Sequence, residues 1–228
     1  MEFIEKYGKQ LFAGIGALIV VGFIATLLMQ NSVKKEKESQ EKYFAIEAKV
    51  KKHTEEKFKK SQTEQAKNQE KVNVTVDVNA LKTELESFIS QNLGTVAAQF
   101  AGLELAQILS DESKSTEALS VLQKVETQSD LLSNSLVKMK IAQVLVDLDK
   151  CSDAVATWSK IVSTSHFSYL HAEAKLNQAL CYKKMNDLKK AEDILNQVKN
   201  DKSDESADYS NEADRILKLI QFNKSFGS

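Results

Sequence analysis

The side chains of this 228-residue chain best suited to chemistry are two cysteines, Cys151 and Cys181, and three histidines, His53, His166 and His171. A thiol pair serves either redox exchange or structural cross-linking. Exchange calls for the close Cys-x-x-Cys arrangement in which one sulfur tunes the other. A separation of 30 residues lacks it, so a thiol-redox enzyme is disfavoured. His166 and His171 are five apart, which does not put both on one helix face as a metal pair requires. His53 stands alone in a charged stretch. No glycine-rich phosphate loop and no nucleophile elbow is present. Arg215 is the sole arginine and the net charge is -1, so nothing resembles a nucleic-acid surface. The expectation is therefore no enzyme: no catalytic, cofactor-binding or metal-ligating residues, and no small-molecule substrate.

The elements that carry these residues repeat. Ala106, Ala142 and Ala179 are spaced by 36 and 37 residues, and so are Ala118, Ala154 and Ala191. A large apolar residue follows the second set four positions on (Leu122, Trp158, Leu195), then Val125, Ile161 and Val198 on the same helix face. A period in the mid-thirties with two helices per unit is a tetratricopeptide-type repeat, the small residues marking close helix crossings. Proline is absent and glycine scarce, with four of seven glycines in the first 22 residues. The chain thus reads as all-α. Three units are expected over 96–130, 134–167 and 168–203. A leading helix over 79–91 starts from an N-cap at Asn79. A capping helix over 211–222 turns Ala213, Ile216, Leu217 and Ile220 inward.

Two consequences follow. Cys151 and Cys181 lie on antiparallel helices that turn near His166, in a register that sets them opposite one another. They are either a disulfide or two buried thiols. The first helices of the units should line a concave face, with Phe100, Leu103, Gln107, Leu136, Met139, Gln143, Val146, Leu176 and Leu180 along it. That stripe of apolar and amide groups suits a polypeptide segment; the alternative is that several of these residues pack beneath the leading and capping helices.

Ahead of the repeat domain (79–228) the chain changes character. Residues 1–10 are a short polar lead with Lys6 and Lys9. Residues 11–29, LFAGIGALIVVGFIATLLM, carry no charge in 19 residues and match a transmembrane helix in length. The run is too long for a cleaved signal peptide and ends without a small-x-small site. Residues 30–78 form a charged connector with 12 Lys and 8 Glu between Lys34 and Lys71. It reads as a solvated helix or, in its later part, a spacer that holds the repeats off the bilayer. The stretch VNVTVDV, 72–78, alternates like a strand or an extended lead into the helix.

The anchor, the run SFISQNLGTVAAQFAGLELAQIL (87–109), the unit ending Trp158-Ser159-Lys160-Ile161 and ALCYKKMNDLKKAEDIL (179–195) together resemble the YfgM-like ancillary subunits of the SecYEG translocon. The connector and VNVTVDV depart from that pattern. The resemblance implies a single-pass protein of the bacterial inner membrane with its repeat domain in the periplasm. Its implied partners are the SecYEG translocon and periplasmic chaperones. The lysines after the anchor (Lys34, Lys35, Lys37, Lys42) argue for the opposite orientation under the positive-inside rule. That would make the chain a cytoplasm-facing anchored receptor for targeting or chaperone peptides. Receptors that clamp acidic peptide ends present basic residues in the groove, and here Lys183 is the nearest.

Overall fold

The computed structural model describes residues 2–65, 76–129, 131–201, 203 and 207–226; the side chains of 2–21 and 63–65 fall outside it. The described residues form α-helices joined by short turns. α1 is Glu2–Gln65, α2 Val78–Gln91, α3 Val96–Asp111, α4 Ser115–Val125 and α5 Leu132–Asp147. α6 is Cys151–Val162, α7 Ser168–Lys184, α8 Leu188–Asn200 and α9 Ala207–Phe226, with a 3-10 turn at Ser165–Phe167. α3–α4, α5–α6 and α7–α8 are the three two-helix units, each packed against the next.

The periodic alanines sit where these helices meet. Ala106, Ala118, Ala142, Ala154 and Ala191 are 0% exposed and Ala179 is 1% exposed. A methyl group at a crossing lets two backbones approach, and anything larger must push them apart. Gly102 extends the rule in the first unit: a Cβ there would lie 2.6 Å from a methyl of Val125.

Each unit also turns its corner the same way. Ser113, Asp149 and Asn186 adopt φ of 62°, 59° and 63°. The following residue donates its backbone N–H back to the last turn: Lys114 to Leu109 (2.8 Å), Lys150 to Leu145 (2.8 Å), Asp187 to Tyr182 (2.9 Å). This is the Schellman closure of a helix, in which a left-handed residue lets the end carbonyls find donors.

A buried polar cluster fixes the joint between the first two units. Asn134, fully buried, donates to the carbonyls of Thr127 (2.9 Å) and Ser129 (2.8 Å) and accepts from Thr127 N (2.9 Å). Gln99 reaches Asn134 Oδ1 at 3.3 Å and accepts from Ser133 Oγ at 2.5 Å. Each buried polar group therefore has a partner, which its burial requires.

The two ends of the solenoid are covered. α9 places Ala213, Ile216, Leu217 and Ile220 against Leu176, Ala179, Ala191, Leu195 and Val198, a core cluster distinct from the one that runs from α1 to α7. At the other end α2 packs Leu81, Leu85, Phe88 and Ile89 inward. Its N-cap is Asp77, two residues before Asn79, because the Asp77 carboxylate accepts from Asn79 N (2.9 Å) and Ala80 N (3.2 Å). Val78 already opens the helix, so the strand-like alternation does not reach it; residues 72–75 lie outside the described residues.

The middle of the connector is not solvated on all sides; its residues 66–75 lie outside the described residues. Ser39, Tyr43, Ile46 and Val50 recur at intervals of four, three and four, and all are buried. They form a stripe that seats α1 on α2 and α3, each large apolar side chain contributing roughly 1.5–3 kcal/mol. Glu36 Oε2 accepts from Val96 N at 2.9 Å, placing a carboxylate at the start of α3, and Lys35 donates to Leu93 O at 2.9 Å. Lys49 with Glu84 and Lys57 with Asp111 add exposed ion pairs of modest worth. Among the described residues no helix is long and apolar enough to cross a membrane. The run 11–29 falls largely on residues whose side chains lie outside the description; its described part, from Gly22, is helical and exposed.

Cys151, at the start of α6, and Cys181, late in α7, are joined as a disulfide with a Cα separation of 5.3 Å. The bridge staples the second unit to the third from within the core. Two outcomes follow. Ala142→Leu should destabilise the domain by about 1–3 kcal/mol through overpacking, read as a lower midpoint in thermal unfolding by circular dichroism. Cys151→Ser with Cys181→Ser releases a 30-residue loop and should cost roughly 3–4 kcal/mol, read in urea unfolding of the oxidised protein and the double variant.

Candidate functional site

α3, α5 and α7, the first helices of the three units, lie side by side and line one groove. A cavity of about 350 Å³ is bounded by Leu103 from α3 and by Leu136, Met139, Lys140 and Gln143 from α5, with Glu173 and Asn177 from α7. Trp158 of α6 also lines it; the ring is 1% exposed and its buried Nε1–H has no partner among the described residues. The spacing explains the wall. Met139, Lys140 and Gln143 stand 3, 4 and 7 residues after Leu136, offsets that keep side chains on one helix face.

The candidate stripe is therefore divided. Leu103, Leu136, Met139 and Gln143 converge on the groove. Phe100 does not: it is 38% exposed and lines a different cavity, between α3 and α1, with Gln40, Tyr43 and Phe44. Leu176 is only 8% exposed and belongs to the core under α9. The reason is positional. Leu176 is the third-unit counterpart of Leu103 and Met139, and where a fourth unit would leave the groove open, the capping helix closes it. Val146 is half-buried against the core. Leu180 is 40% exposed on α7, away from the cavity. Gln107 is exposed but engaged, accepting from Lys140 Nζ at 2.5 Å and donating to Asp111 at 2.9 Å.

Lys140, Asn177 and Trp158 are groove residues beyond the expected stripe. Lys140 could have been found as the residue four after Leu136, and Trp158 by its position one turn beyond Ala154. The polar lining is mixed in sign. Glu173 accepts from the Tyr209 hydroxyl of α9 at 3.3 Å, and burial followed by Glu173 pushes the Tyr209 phenol above its usual range. The groove thus offers apolar walls, amides and one charge of each sign, a lining suited to holding a polypeptide by shape and backbone hydrogen bonds.

The other polar candidates are occupied structurally. His171 Nε2 lies 3.0 Å from Thr164 O, at the turn that contains His166. Both cysteines are spent on their bridge. Among the described residues no group of three His, Cys, Asp or Glu side chains is placed to hold a metal ion.

No curated protein and no solved structure matches the chain. A family model does, the tetratricopeptide repeat-like domain, over residues 1–175. The match takes in the apolar run, the connector, α2, the first two units and the first part of α7. Built of two-helix units at the repeat period and matched over most of its length, the chain belongs to the tetratricopeptide repeat-like domain family.

Proposed function

We propose that this protein is a non-catalytic, membrane-anchored scaffold that binds polypeptide partners, an accessory of the Sec translocon that links it to periplasmic chaperones. The observation that carries the binding role is the groove in which Leu103, Leu136, Met139 and Gln143 meet over Trp158. A repeat domain of this family offers protein partners such a surface.

Two observations favour the anchor and its compartment. The family match includes the uncharged run 11–29, so that run belongs to the shared unit rather than standing beside it. The Cys151–Cys181 bridge suits an oxidising compartment, where disulfides persist. The lysines that follow the anchor favour the cytoplasm-facing reading, in which the same groove takes targeting or chaperone peptides.

Native purification separates the two. Full-length protein solubilised from its own membrane should bring translocon subunits and periplasmic chaperones, identified by mass spectrometry. Leu136→Glu with Met139→Glu should reduce their recovery at least tenfold while the circular dichroism spectrum stays native. Recovery of cytosolic factors alone would reverse the orientation, and undiminished recovery with the folded double variant would remove the groove from the account.

A further inference from the structure

Beyond its uncharged run, α1 carries two large aromatic side chains, among those described, that the fold does not use. Tyr43, Ile46 and Val50 dock on α2 and α3, yet Phe44, the next residue after Tyr43, is 73% exposed and Phe58 is 63% exposed. Residues 44, 48, 51, 55 and 58 share one helix face, which spans about 21 Å, close to four helical turns.

That face is one wall of a furrow whose other wall is α3. Two adjoining cavities, about 670 Å³ and about 500 Å³, share Phe44, Glu47 and Glu104. Phe58 lines the first cavity and Phe100 the second, so aromatic rings flank the carboxylates on both sides. Among the described residues no cation is paired with those carboxylates. Glu47 and Glu104 form none of the ion pairs among the described residues, although Lys49 and Lys57 of the same helix are paired with Glu84 and Asp111. Lys51 and Glu55 also line the first cavity, leaving the furrow net acidic on an otherwise lysine-rich helix. Burial and then Glu47 raise the Glu104 carboxyl above its usual range, and burial, Glu104 and Glu47 raise the Tyr43 phenol. Like-charged and flanked by rings, with Glu104 half-buried and Glu47 exposed, the pair suits a long basic side chain whose methylene stem packs on aromatics while its head meets the carboxylates.

We infer that the furrow between α1 and α3 docks a basic amphipathic helix of a partner polypeptide, with a Lys or Arg seated between Glu47 and Glu104 and its apolar face on Phe44, Phe58 and Phe100. The surface is separate from the concave groove, since Leu136, Met139 and Trp158 take no part in it. A helix of four turns matches its length, and a basic one matches its charge.

The test titrates the full chain in detergent micelles against a fluorescein-labelled 18-residue helix of Leu, Ala and Arg, with leucines on one face and arginines flanking them. A second peptide has Glu for every Arg. Fluorescence anisotropy should show the Arg peptide binding at least tenfold tighter than the Glu peptide. Glu47→Gln with Glu104→Gln, and separately Phe44→Ser, should each weaken it tenfold or more with the fold intact by circular dichroism. The emission of Trp158, the only tryptophan, should not move. Equal binding by the folded Gln double variant, or no binding by the wild type, would overturn the inference. So would a shift of Trp158 emission abolished by Met139→Glu, which would instead assign the peptide to the concave groove. A dimer in light scattering that Phe44→Ser dissolves would show a second copy as the occupant and equally end the proposal.

Discussion

Six buried methyl groups set the geometry of this protein. Ala106, Ala118, Ala142, Ala154, Ala179 and Ala191 recur at the repeat period, and none of the six is more than 1% exposed. Close approach brings the flanking large residues, Leu122, Trp158 and Leu195 on the second helices, into the interior between units, where each is at most 1% exposed. Interiors are packed to crystal-like density, so a change of one methylene at a crossing is transmitted to its neighbours. The disulfide and the Asn134 cluster then lock the joints that this packing creates.

A stack of such units leaves an apolar face open at each end, and the chain closes both. α9 covers the last unit; α2 and the middle of α1 cover the first. The closures also decide what the concave face can do. They bury Leu176 at one end and turn Phe100 toward α1 at the other, so that the groove open to a partner is the central portion, built chiefly from α5. α1 meanwhile acquires two roles. One face is part of the core, and the adjoining face, with Phe44 and Phe58, is presented to solvent beside the carboxylates of Glu47 and Glu104.

The repeats were legible because two sets of alanines drift by the same interval, and the helix pair that carries Cys151 and Cys181 has a register that a sequence can give. Other features were hidden for identifiable reasons. Inside the three units the left-handed turn residues are Ser113, Asp149 and Asn186, so no glycine marks those corners as Gly94 (φ 84°) marks the turn between α2 and α3. The docking stripe of α1 is Ser39, Tyr43, Ile46 and Val50, four residues diluted in a run of lysine and glutamate that reads as a solvated helix. Its 3-4 interval, rather than its composition, was the signal. The groove was half-legible: the repeat period gives equivalent positions in three units, but units at the ends have different neighbours from the unit in the middle. Leu136 and Met139, from the middle, line the groove together with Leu103 of the first unit; Phe100 and Leu176, which meet the closing helices α1 and α9, do not.

The account rests on the central groove as the surface that meets other polypeptides. The most direct measurement replaces Met139 with the photocrosslinking residue p-benzoylphenylalanine in living cells and identifies what is joined to it on irradiation, with a control probe at Lys218 on the outer side of α9. The account predicts adducts with translocon subunits, periplasmic chaperones or exported polypeptides from position 139 and not from 218. Adducts from 218 alone, or none from 139 in a folded, membrane-bound protein, would contradict it.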